Sequence, residues 1–186
     1  MKSFVIPTVT FVGIAALAWL IFQAVARDYR AKGMLTNCSA FFETAIFFVH
    51  GFSSYIYLDS TLSAIRLTSP SFVLAATLIA LGLAALGLSM FWLGWSVSIG
   101  RNTQSLRQTG PYRFSRNPQI VAYFFVVVGY SLLWPSLLGV LWACLYLEIA
   151  HMMVKTEETH LSRHFGAEYR EYCAKTPRYI GRMQMS

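Results

Sequence analysis

Two short runs hold most of the chain's capacity for chemistry. The first is Gly110-Pro111-Tyr112-Arg113-Phe114-Ser115-Arg116-Asn117-Pro118. Gly-Pro breaks the chain. Asn is a favoured N-cap and Pro a favoured first helical residue, so a helix is expected to begin at Asn117-Pro118. Its free amides, its positive dipole end and Arg116 beside them form an anion site. A plainer reading has the arginines snorkelling to headgroups while Asn117 only caps. The second run is Glu157-Glu158, Leu161, Phe165-Gly166, Tyr169, Tyr172 and Pro177-Arg178. Leu161, Phe165, Tyr169 and Tyr172 share one face of a continuous helix, whereas Gly166 can end that helix and start another. The two acids stand beside Lys155, where Glu158 can form an i,i+3 pair or both can simply be solvated.

A third pair, Glu148 and His151, lies within an apolar run, where an ionisable residue is a functional candidate. Di-metal bundles use Glu-x-x-His in two copies with further carboxylates. A single copy occurs here, so no metal site is expected. The three cysteines, Cys38, Cys144 and Cys173, form no C-x-x-C pair. They read as packing residues, with no disulfide framework.

These residues must be held by membrane spans. Of 186 residues, 56% are apolar and only 12% charged, with a net charge of +7. That composition excludes a disordered chain and argues against a soluble globule. It also makes the basic excess a sign of membrane sidedness, so no nucleic-acid partner is expected. Residues 4–26 and 71–100 carry no charge, and each run is long enough to cross a bilayer. The first is too long for a signal-peptide core and reads as a retained span. Residues 118–147 are also uncharged, with apolar character continuing to Val154. Trp134-Pro135 divides this stretch into a hairpin of two short spans. Residues 40–58 contain Glu43 and His50 at i and i+7, on one face that can point into a bundle.

The expected fold is an all-α integral membrane protein, a single membrane domain over 1–186. It has five transmembrane helices at about 4–26, 40–58, 71–99, 118–133 and 136–154, and a short helical tail over 155–186. With five spans, thirteen of the fifteen Lys and Arg fall on one side. The positive-inside rule then places the N-terminus outside and the C-terminus, with the 101–117 loop, in the cytoplasm. Omitting residues 40–58 as a span gives a poorer charge split. There is no Gly-x-Gly-x-x-Gly and no Walker lysine. No separate nucleotide-binding domain fits, so a cofactor has to sit at the span ends.

Taken together, Gly110-Pro111-Tyr112-Arg113, Arg116-Asn117-Pro118, Glu157-Glu158, Leu161, Phe165-Gly166, Tyr169, Tyr172 and Pro177-Arg178 resemble the isoprenylcysteine carboxyl methyltransferase family and its phospholipid methyltransferase relatives. The resemblance covers roughly the last 80 residues. It implies an S-adenosylmethionine-dependent enzyme embedded in the lipid bilayer, with its active site facing the cytoplasm. The family's cofactor positions fall on Tyr112, Arg116, Asn117, Pro118, Glu157, Glu158, Leu161 and Phe165, with Arg116 and Glu158 as the catalytic pair. Tyr123, Glu148, Tyr169 and Arg178 are expected to meet a lipophilic substrate entering from the membrane. The chain departs from the family at three positions: Asn117 where His is common, Ile120 where Tyr is common, and Ala122 where Gly is common. Tyr123, one turn on, stands in for the missing tyrosine.

Methyl transfer from a sulfonium needs alignment and a dry pocket more than acid–base machinery. Carboxyl O-methylation of an isoprenylcysteine-like substrate needs no base. Methylation of a phospholipid amine or a thiol needs proton removal, for which Glu148, His151 and His160 are the nearest groups. An NADPH-dependent membrane reductase of the sterol reductase type and a non-catalytic membrane adaptor are the competing readings.

Overall fold

The computed structural model describes residues 4–58, 69–94 and 106–181. These form six α-helices and one 3-10 turn: α1 (Val5–Lys32), α2 (Asn37–Tyr57), α3 (Pro70–Leu93), the turn Gly110–Arg113, α4 (Pro118–Leu133), α5 (Leu137–Phe165) and α6 (Ala167–Lys175). Among the described residues there is no strand. Three helices, α1, α3 and α5, are long and apolar enough to cross a membrane, and α4 is a shorter apolar helix. The described residues are therefore all-helical, with three helices of membrane-spanning character. α2 has the length but is diluted by Glu43, His50 and four serine and threonine residues. The break at Trp134-Pro135 appears as expected, between α4 and α5. The 71–99 span is helical to Leu93, and its residues 95–99 lie outside the described chain. Arg66 and Arg101, used in the charge count, lie outside it too.

Local chemistry sets the turns. Gly33 closes α1 in the left-handed region, where a side chain would be strained. Thr36 then caps α2 by accepting from the Ser39 amide at 3.3 Å. Asp28 holds the corner, accepting from the Thr36 hydroxyl at 2.5 Å and the Thr36 amide at 3.2 Å. The hydroxyl of Tyr57 donates to the Pro7 carbonyl at 2.9 Å, so α2 runs back antiparallel to α1.

The core has two parts. One packs Ile14, Ala18, Phe22 and Val25 of α1 against Ile46 of α2 and Leu145 and Ile149 of α5. The other packs Tyr57 and Leu58 against Val127, Trp142 and Tyr146. His50 belongs to this second part. Its ring stacks on Trp142 at 4.6 Å, its Nε2 lies 3.1 Å from the Trp142 carbonyl, and the Trp142 indole donates to the His50 carbonyl at 2.9 Å. The pair ties α2 to α5 and is structural.

α3 packs along α4 through small residues. A Cβ on Gly82 would stand 2.8 Å from the Ala122 carbonyl, and one on Gly129 would stand 2.8 Å from the Ala75 carbonyl. Backbones approach this closely in membrane helices only where side chains are absent. The α3–α4 pair thereby fixes where α4 begins, and with it the loop that carries Arg116.

Candidate active site

The loop before α4 is shaped by Gly110. Its backbone is left-handed, and a Cβ there would stand 2.6 Å from the Trp92 ring on α3. Glycine is required on both counts. The 3-10 turn that follows buries Tyr112, whose carbonyl accepts from the Tyr172 hydroxyl on α6 at 2.6 Å. The loop is thus joined to the C-terminal segment before Arg116 is reached.

Arg116 and Glu158 form the centre of the cluster. The Arg116 Nη1 lies 3.0 Å from the Glu158 Oε1, with both side chains largely buried at 13% and 14% exposure. Arg178 reaches the same carboxylate with two bonds, Nε at 3.1 Å and Nη2 at 2.6 Å. Such a bidentate fork is the strong form of this interaction. Arg116 also donates to the Tyr169 hydroxyl at 3.4 Å and approaches the Cys173 Sγ at 2.6 Å. The i,i+3 pair of Lys155 with Glu158 does not form, because the two arginines take the carboxylate. Burial and the Glu158 charge push the Tyr169 hydroxyl up.

The C-terminal segment is strapped to the loop by backbone. The Arg116 amide donates to the Pro177 carbonyl at 2.9 Å, and the Asn117 side-chain amide donates to the Arg178 carbonyl at 3.0 Å. Asn117 occupies the N-cap position of α4 but makes no side-chain cap bond. Its amide is used for the strap instead, which corrects the expectation that Asn117 caps the helix. The expected single face through Leu161, Phe165, Tyr169 and Tyr172 is broken at Gly166, whose positive φ turns the chain into α6. Tyr169 and Tyr172 are buried by that turn, while Leu161 and Phe165 stay half-buried on α5.

Glu157 has different surroundings from its neighbour. It lies beyond Val154, where the apolar part of α5 ends, and is half-buried with no arginine on it. Burial, then the charge of Glu158, push its carboxyl up to about 7. Its field reaches Glu43 on α2, Tyr29 on α1 and Tyr112 on the loop. Several polar atoms in this region have no hydrogen-bond partner among the described residues: Glu43 Oε1, Tyr112 OH, Arg116 Nε and Gln119 Nε2. Buried polar atoms are ordinarily satisfied. Unpartnered donors and acceptors together with a carboxyl that makes no ion pair fit a polar, positively charged ligand such as S-adenosylmethionine.

An apolar pocket of about 350 Å³ adjoins this region, lined by Glu43, Phe47, Met90, Gln119, Ile120, Tyr123 and Met153 among others. Tyr123 lines this pocket, and Ile120 stands beside it. Glu148 is elsewhere. It is exposed and lines a groove between α1 and α5, together with His151 and His160. Sequence reasoning marked Glu43 as inward-facing but did not place it near the acids, and Gln119 carried no signal at all.

A family model for phospholipid methyltransferase matches residues 70–168. The chain belongs to the phospholipid methyltransferase family, whose wider membership includes the isoprenylcysteine carboxyl methyltransferase-like integral membrane enzymes. It is also similar to the nickel-cobalt-cadmium resistance protein NccN of Alcaligenes xylosoxydans xylosoxydans, at 29% identity over 106 residues. That match covers 56% of this chain and 49% of NccN, so the likeness spans about half the length of the relative. No solved structure matches the chain. Among the described residues no group of three or more His, Cys, Asp or Glu is placed to hold a metal ion.

Proposed function

We propose that the chain is an S-adenosylmethionine-dependent methyltransferase of the membrane, acting on a lipophilic acceptor at the cytoplasmic ends of its spans. The observation that carries this reading is the asymmetry of the two adjacent acids. Glu158 is paired with Arg116 and Arg178, whereas Glu157 makes no ion pair among the described residues and its field reaches Glu43 and Tyr112, each with an unpartnered oxygen. When bound, the cofactor supplies a methyl group on a sulfonium. Glu157 would receive its ammonium, and the orphaned Tyr112 hydroxyl and Arg116 Nε would supply donors for its oxygens. Arg116 and Glu158 act mainly by holding the loop and the C-terminal strap closed over that site. Leu161 and Phe165 form part of the wall, as Pro118 does at the start of α4.

The acceptor enters the apolar pocket through Phe47, Met90 and Tyr123. The pocket would hold the acceptor's reacting atom against the methyl group that bound S-adenosylmethionine would supply, with the neutral thioether as the leaving group. The resemblance to the isoprenylcysteine enzymes suggests a carboxylate acceptor. A specific feature supports the phospholipid amine instead: the ionisable side chains among the pocket's named lining are Glu43 and Tyr123, with no Lys, Arg or His. A carboxylate acceptor there would find no cation in this lining, while an amine finds the Glu43 carboxyl as a hydrogen-bond partner. Methylation of an amine releases one proton, for which Glu43 and Glu157 are the nearest acceptors.

The test is thermal stability of the detergent-solubilised protein with S-adenosylmethionine, S-adenosylhomocysteine and NADPH. Stabilisation by the first two, abolished in Glu157→Gln, is expected. Stabilisation by NADPH alone, or by none of the three, would sink the reading. Transfer of labelled methyl to phosphatidylethanolamine rather than to a farnesylcysteine then selects the amine acceptor over the carboxylate.

A further inference from the structure

A groove of about 730 Å³ runs between α1 and α5, and its lining shares no residue with the apolar pocket. One end is basic. Arg30 of α1 and Lys155 and Arg163 of α5 line it, all exposed, and none makes an ion pair with an acid among the described residues. His160 lines the same end, buried and stacked on Tyr29 at 4.0 Å. Burial and the nearby His164 and Arg163 hold its imidazole neutral, with its pKa lowered to about 4. The acid in the groove is Glu148, which is further along α5. The basic end therefore carries an uncompensated positive charge.

The other end is set in the spans. Trp19 and Phe22 of α1 and Met152 of α5 line it. Arg30 and Trp19 are eleven residues apart on one helix, about 16 Å at a rise of 1.5 Å per residue. A cationic end at the membrane boundary continues into a deeper end where Trp19, Phe22 and Met152 offer apolar surface. Gln23, Glu148 and His151 form a polar strip beside it. This matches a phospholipid whose polar glycerol region lies along the strip and whose chains lie on the aromatic side. A second copy of the chain would bring two basic ends together, which like-charge repulsion opposes.

We propose that the α1–α5 groove binds an anionic phospholipid, its phosphate between Arg30, Lys155 and Arg163 and its acyl chains along Trp19 and Phe22. The lipid belongs to the leaflet at the C-terminal ends of α1 and α5. This site is separate from the methyl-transfer region and does not rest on the function proposed above.

The experiment titrates the full chain in detergent with dihexanoyl phosphatidylglycerol, dihexanoyl phosphatidylcholine and inorganic phosphate, following the thermal midpoint. Phosphatidylglycerol should raise the midpoint saturably. The double variant Arg30→Gln/Arg163→Gln should raise the half-saturating concentration at least tenfold. The milder Lys155→Gln, at an exposed site, should raise it at least threefold and serves if the double variant fails to fold. An unchanged elution profile and lipid-free midpoint show that a variant is intact. Equal titrations for wild type and Lys155→Gln would overturn the proposal. So would an equal response to phosphatidylcholine, or full stabilisation by inorganic phosphate. Concentration-dependent dimerisation that is lost in Lys155→Gln would give the groove to a second copy and overturn it as well.

Discussion

Glu157 and Glu158 are adjacent in sequence but chemically opposite. Glu158 sits between two arginines and bonds to both. Glu157 has its pKa raised to about 7 by burial and by its neighbour's charge. If Glu157 receives a cationic cofactor, affinity should rise with pH. Its ionised fraction goes from about a tenth at pH 6 to about nine tenths at pH 8, so up to tenfold tighter binding is expected across that range. Calorimetry at the two pH values checks this, and Glu157→Gln should flatten the dependence. The same residue acts on stability with the opposite sign. Native Glu157 keeps its proton to about pH 7, while the unfolded chain releases it near the ordinary 4.5, so stability falls as pH rises through that window. Glu158→Gln predicts a different phenotype. It leaves two guanidiniums without their shared anion, at a cost of about 2 kcal/mol typical of charged hydrogen bonds. Limited proteolysis at Lys175 and Arg178 should then be faster, because the C-terminal strap loses its anchor.

At the scale of elements, the site depends on how closely α3 and α4 approach. Gly82 and Gly129 stand where a Cβ would overlap the opposing backbone, whereas Gly87 has nothing within 4 Å. Gly82→Ala or Gly129→Ala should lower the thermal midpoint and weaken cofactor binding together, since α4 carries the Arg116 loop. Gly87→Ala should be neutral or add up to about 1 kcal/mol from helix propensity. Parallel melting curves of the three variants check this. The hairpin at Trp134-Pro135 and the break at Gly166 were legible in the sequence, because proline and glycine act on the backbone locally. The strap between residues 115–117 and 177–178 was not. It joins segments 60 or so residues apart through main-chain carbonyls, which carry no residue-type signal.

For the whole molecule, the charge asymmetry predicts sidedness. Cys38 is exposed at the start of α2, on the side that the basic residues assign to the cytoplasm, and Cys144 is exposed within the apolar part of α5. In intact cells an impermeant maleimide should leave Cys38 unlabelled, and permeabilisation should open it. Cys144, facing acyl chains, should stay unreactive in both states. Labelling of Cys38 from outside would reverse the orientation.

The sequence by itself determined the class: apolar runs and sorted charge leave only a helical membrane protein, and the paired motifs point to its basic rim as the candidate site. Those properties are local or compositional and survive without knowing what touches what. Only the tertiary structure decided that Glu158 is spent on two arginines, that Glu43 comes from α2 to face Glu157, and that Glu148 belongs to another groove. Each depends on which helix faces pack, and that is set by side-chain volumes at crossings such as Gly82 and Gly129 rather than by the spacing of the reactive residues.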